Sequence, residues 1–161
     1  MRKVMPLLLI AVFAGVMIYL FIGFGKFQAD AGPPIDLTLP ETWQEFSRTA
    51  NTEGKDALAL FQKEHEKKIR FKQGIRAEYT DGTTVFTMWV APGSDEGNAS
   101  QMVVEMSNKI GSTGKTFAAS TMVDLGGGTT IFRTEGQDAV NYFFAKGRKV
   151  YWVAVKQGDA E

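Results

Sequence analysis

The 161-residue chain has no cysteine and a single histidine. The first absence excludes disulfides, thiolate-ligated zinc, iron–sulfur clusters and thiol nucleophiles together. The second leaves His65 without a companion for a histidine metal site. As a general base it would need an orienting group and a nucleophile or substrate, and no residue pattern supplies either. His65 therefore reads as a helix-boundary residue.

Charge of one sign is also missing. The chain holds 18 Lys/Arg and 18 Asp/Glu. The basic residues Arg2, Lys3 and Lys26 and the acidic Asp30 precede Ala31, which leaves 15 basic against 17 acidic residues, a net of −2. Nucleic-acid binding favours clustered positive charge and a high isoelectric point, so no nucleic-acid partner is expected. The densest basic stretch is Lys63, Lys67, Lys68, Arg70, Lys72 and Arg76. Glu64, Glu66 and Glu78 interleave with it, and it reads as a self-paired, solvated face.

A third absence organises everything else: Val4 to Gly25 carries no charge. A bilayer core about 30 Å thick takes about 20 helical residues, and Pro6–Gly25 supplies that length. Twelve of those twenty residues are Leu, Ile, Val or Phe, worth roughly −4 to −7 kcal/mol on the insertion scale before polar and small residues subtract. Pro6 falls in the first turn, where its missing N–H costs no helical hydrogen bond. Residues 1–27 are thus expected to form a single transmembrane signal-anchor that meets the lipid bilayer through residues 4–25.

Arg2 and Lys3 before the span put the amino terminus in the cytoplasm and the remainder outside it. The expected location is the cell (inner) membrane, single-pass, with a periplasmic or extracellular domain. Ala29-Asp30-Ala31 has the form of a signal-peptidase site, so cleavage after Ala31 is the competing reading. The apolar run is longer than the roughly 7–15 residues of a cleaved signal.

Residues 28–34 read as a linker, with Pro33 and Pro34 favouring extended backbone. Residues 35–161 are one domain's length. Within it, Ile35–Leu39 alternates like a first strand, and Pro40-Glu41-Thr42 opens a short helical segment carrying Trp43 and Phe46. Lys55–Lys68 has helical spacing. Ile75–Tyr79, Asp81-Gly82 and Thr83–Val90 form the clearest hairpin. Asn98–Ile110 places Ala99, Met102, Val103, Met106 and Ile110 on one helical face, with Asn98 and Gln101 as its capping pair.

Strands follow at Phe117–Leu125, Thr129–Thr134, Val140–Ala145 and Val150–Lys156. The expected fold is α+β: one mostly antiparallel sheet of five to seven strands packed by two helices. Gly82–Thr87 and Gly128–Arg133 echo one another 46 residues apart, which raises the possibility of an internal duplication.

Gly111–Thr116 imitates a phosphate-binding loop. The pattern ending in Gly114-Lys115-Thr116 requires glycine where Lys109 stands, and a helix precedes the loop instead of following it. No nucleotide and no other cofactor is expected. The acids Asp81, Asp124, Glu135 and Asp138 sit at turns, where backbone reasons account for them. Nothing assembles a catalytic set, so the chain reads as a non-enzyme.

The strands holding Trp89, Tyr142, Phe144, Tyr151 and Trp152 are apolar on both faces, and these five form the candidate interaction surface. The functional expectation is a membrane-anchored extracytoplasmic binding, accessory or assembly module with a membrane-protein partner. A cleaved soluble binding domain is the alternative, and an enzyme of unknown type the second alternative.

Overall fold

The computed structural model describes residues 35–65, 71–110, 112, 116–124 and 129–156, with only the backbone at Glu64 and His65. The expected membrane span, the linker and the side chain of His65 lie outside the described residues. Everything below concerns the unit 31–161, which is compact by its own contacts.

Eight antiparallel strands form one sheet. In chain order they are β1 (Thr42–Trp43), β2 (Phe46–Glu53), β3 (Ile75–Thr80), β4 (Val85–Pro92), β5 (Thr121–Val123), β6 (Ile131–Gly136), β7 (Ala139–Lys146) and β8 (Lys149–Lys156). Their spatial order is β1-β2-β3-β4-β8-β7-β6-β5, so the last strand closes the centre. Helix α1 (Gly54–His65) joins β2 to β3, and α2 (Glu96–Lys109) joins β4 to β5. The α+β class and the two helices stand as expected, and the strand number exceeds the expected five to seven because β1 and β2 form where no strand was expected.

Several boundaries differ. Ile35–Pro40 alternates covered and exposed positions but belongs to no strand. It crosses one sheet face as a strap, with Leu39 buried beside Tyr79, Met88 and Val90 and with Leu37 packed against the same group. Its alternation is real, since an extended chain lying on an apolar face needs the same period of two as a strand. The Tyr79 hydroxyl donates to the Pro40 carbonyl at 2.8 Å, and Arg48 Nη1 donates to the Leu39 carbonyl at 2.7 Å. Burial pushes the Tyr79 phenol pKa up, against a smaller downward pull from Arg48.

The segment expected to be helical after Pro40 is instead the β1–β2 hairpin. It turns at Gln44, whose φ of 55° is left-handed. Strand β2 had no expectation at all.

Helix α2 starts two residues before its expected first residue, because Asp95 rather than Asn98 is the cap. The Asp95 carboxylate accepts from the Asn98 backbone N–H at 2.7 Å, while Asn98 Oδ1 accepts from the Ser94 N–H at 3.0 Å. Replacing Asp95 by alanine removes the acceptor for an otherwise orphaned helix N–H. It is expected to lower domain stability by about 1 kcal/mol, read as a shifted urea midpoint at unchanged slope.

The two tight turns of the second half differ in kind. Gly147 has φ 56° between β7 and β8, where glycine costs nothing. Gln137 and Asp138, at φ 55° and 57°, join β6 to β7 in the paired left-handed geometry that a two-residue hairpin demands. Strands β4 and β6, which carry the internal echo, have unlike surroundings: β4 lies between β3 and β8, and β6 between β5 and β7. Helix α1 contacts β2 and β3, whereas α2 contacts β7 and β8, so the echo does not extend to two equivalent units.

Candidate interaction surface

Cross-strand register assigns each side chain to a face. Trp89 of β4 pairs with Trp152 of β8, Trp152 with Phe143 of β7, and Phe143 with Phe132 of β6. This aromatic row lies under the helices, in one cluster with Leu58 and Phe61 of α1 and Ala99, Met102, Val103 and Met106 of α2. Trp152 stacks on Phe143 at 5.1 Å, Phe143 on Phe132 at 5.4 Å, and Phe117 meets Trp152 edge-on at 5.5 Å. At the far end of the row the Arg76 guanidinium sits 5.4 Å from the Trp89 ring centre, a cation–π contact.

Trp89 and Trp152 are only 9% and 8% exposed, so they form core and not docking surface. The Trp152 indole N–H donates to Asn141 Oδ1 at 3.0 Å. The Trp89 indole N–H is buried and meets no acceptor among the described residues.

The opposite face is covered over only part of its width. On β2, β3 and β4 the strap and Phe46 lie over Ile75, Ala77, Tyr79, Met88 and Val90. Beyond β4, register places Tyr151, Val153 and Val155 of β8 opposite Phe144, Tyr142 and Val140 of β7. Ile131, Arg133 and Glu135 of β6 continue the same rows. The uncharged members of this half are all partly exposed, and no helix belongs to the apolar cluster of this face.

Tyr142, Phe144 and Tyr151 thus share one surface, with Phe144 and Tyr151 stacked at 4.9 Å, while Trp89 and Trp152 point the other way. Tyr151 and Trp152 are sequence neighbours in one strand, and a period of two forces them to opposite faces. What sequence reasoning missed is the aliphatic frame around the aromatics: Val140, Val153, Val155 and Ile131. The alternation in VYWVAV was the signal that would have found it.

Arg133 and Glu135 on this half neutralise one another. Arg133 Nη2 and Glu135 Oε1 are 2.6 Å apart. The hydrogen bond to Glu135, and after it one to Tyr142, raises the Arg133 pKa further above its already high value. Removal from water raises the Tyr151 phenol pKa. The surface thus carries one internal ion pair beside its apolar rows and two lysines, Lys146 and Lys149, at the β7–β8 hairpin end.

The candidate acids do structural work. Asp81 accepts from the backbone N–H groups of Thr84 and Thr83 at 2.7 and 2.8 Å, and these bonds hold its carboxyl below the ordinary range. Asp138 sits in the left-handed turn, and Glu135 is engaged with Arg133. Among the described residues no group of three or more His, Cys, Asp or Glu is disposed to hold a metal ion. None of the protein families, curated proteins or solved structures compared with the chain matches it.

Proposed function

We propose that the chain is a membrane-anchored extracytoplasmic binding or accessory module that works by docking a protein on the open half of its sheet. The observation that carries this reading is the contrast between the two halves of one face. The half on β3 and β4 is sealed by the strap, while the half on β7 and β8 leaves Tyr142, Phe144, Tyr151 and their valine neighbours partly exposed. A contiguous apolar patch on an otherwise well-covered domain marks an interaction site, and tyrosines supply large contact area at low entropic cost. The uncharged run Val4–Gly25 supports action at a membrane, with the domain outside the cytoplasm. The acids at turns and the lack of cysteine favour a non-catalytic role.

The test is co-purification of the full-length chain from detergent-solubilised membranes, with Tyr142→Asp and Phe144→Asp as variants. Both side chains are partly exposed, so the variants are expected to melt near the parent temperature while retaining a tenth or less of the co-purifying protein, the fold-change of about 1.4 kcal/mol. Retention equal to the parent in folded variants would refute docking at this face. Sequencing the mature amino terminus separates anchoring from the cleaved alternative: Met1 or Arg2 supports the anchor, and Gly32 supports cleavage.

A further inference from the structure

We infer that the open half-face takes a single segment of a partner protein, apolar at alternate positions and acidic at the end that meets Lys146 and Lys149. This rests on the docking role proposed above and names the chemistry of what docks. Three observations carry it.

The first is what already covers the other half of the face. The strap turns Ile35, Leu37 and Leu39 toward the sheet and leaves Asp36, Thr38 and Pro40 exposed. Leu37 and Leu39 share one apolar cluster with Tyr151 and Val153 of β8. The acidic end of the strap lies within the field of Lys149. Hydrogen bonds from the Thr38 hydroxyl and N–H, and more weakly the charge of Lys149, hold the Asp36 carboxyl below the ordinary range. A segment with a period of two and one acid is thus a cover that this sheet face takes within the chain itself.

The second is charge. Lys146 and Lys149 stand directly opposite one another across the β7–β8 hairpin, on the side of Tyr142, Phe144 and Tyr151. Like charges directly opposite destabilise an antiparallel pair. Of the nearby acids, Glu135 is engaged with Arg133, and Glu96 belongs to α2, which packs on the other face. Asp36 acts on Lys149. Lys146 has no hydrogen bond or ion pair among the described residues. The hairpin end of the apolar rows therefore holds a positive charge that an acidic group of the partner answers.

The third is shape. Strands β8, β7 and β6 set three rows side by side across about 10 Å, and Val140–Lys146 runs for about 20 Å. That strip is the print of one segment of about six residues. It is well short of the roughly 800 Å² that each side of a specific globular interface buries. So short a segment binds weakly when it diffuses freely. A partner held in the same membrane presents it at a far higher effective concentration.

The absence of cysteine allows a single dye to report on this strip. Full-length Val140→Cys, labelled with an environment-sensitive fluorophore at the end of the rows away from the lysines, is placed in phosphatidylcholine nanodiscs. It is titrated with a synthetic peptide of residues 32–41, the strap's own pattern, and with the same peptide carrying Asp36→Lys and Glu41→Lys. The expected result is a saturable blue shift with the acidic peptide. The lysine peptide, and the chain variant Lys146→Glu with Lys149→Glu, are each expected to raise the dissociation constant about tenfold.

Leu39→Ala loosens the strap without touching the open half, so it is expected to leave the affinity unchanged. Affinity that rises in Leu39→Ala and ignores the lysines puts the peptide in the strap's own place and overturns the acidic segment. So does the lack of any saturable shift in a labelled chain that melts like the parent. A blue shift when phosphatidylglycerol replaces part of the phosphatidylcholine, with no response to peptide, assigns the face to lipid and overturns protein docking as well. Co-purification that is lost in Phe144→Asp and unchanged in the double lysine variant overturns the acidic segment and leaves docking at this face standing.

Discussion

Phe143→Ala is expected to destabilise the domain by about 3–5 kcal/mol, the largest loss of any single substitution considered. Phe143 is fully buried and lies between Trp152 at 5.1 Å and Phe132 at 5.4 Å, with both stacks nearly parallel at 10° and 16°. Truncation removes two stacking contacts and leaves a void under α2. The aromatic rings around the void are fixed by strand register and collapse into it only partly. Urea unfolding measures the effect as a fall in midpoint at constant slope. A loss below about 1 kcal/mol would mean that this row is not the centre of the core, and the assignment of Trp152 to the interior would fall with it.

Asn141→Leu is nearly isosteric and should still cost about 2–3 kcal/mol. Asn141 is 2% exposed, and its amide works in two directions. Oδ1 accepts from the Trp152 indole at 3.0 Å, and Nδ2 donates to the Gly136 and Ala139 carbonyls at 3.1 and 3.2 Å. Leucine fills the space but removes the acceptor Asn141 Oδ1 from a buried indole N–H and unties the left-handed turn at Gln137-Asp138. Thermal or urea unfolding gives the magnitude, and near-ultraviolet circular dichroism should report loosened tryptophan packing. Because both substitutions act on Trp152, the double variant should be less destabilised than the sum. Strict additivity would show that Asn141 acts only through the turn.

The elements legible in the sequence are those whose pattern and environment agree. Helix α2 keeps its apolar residues on one face because it packs on one face. The β3–β4 and β7–β8 hairpins are marked by Asp-Gly and by Gly147. Strand β2, Phe46-Ser-Arg-Thr-Ala-Asn-Thr-Glu53, was illegible because it lies next to the edge: its alternation is one of half-buried and exposed positions filled mostly by polar residues. The strap carries a strand's pattern because a segment lying on an apolar face alternates whether or not it has a ladder partner.

The candidate surface was legible as composition and illegible as geometry. Both parities of β7 and β8 carry aromatics, and only the position of the helices decides which parity is core. That position depends on β4 pairing with β8, a contact between strands more than fifty residues apart that local pattern does not encode.

That same pairing has a consequence in time. Strand β8 is the last described strand in the chain and lies at the sheet's centre, joining the β1–β4 half to the β5–β7 half. As the chain emerges amino terminus first, β4 waits without its inner neighbour until residues 149–156 appear. The strap, made before any strand, covers a half-face whose floor includes Met88 and Val90 of that waiting strand. Tyr151 and Val153 of β8 pack against that same cluster, so the strap's surroundings are complete only once the final strand is in place. Until then the newborn domain presents two half-sheets with open central edges, the form most exposed to mispairing. A chain that stops before Lys149 stays in that condition, so the final strand is what turns two liabilities into one protected sheet.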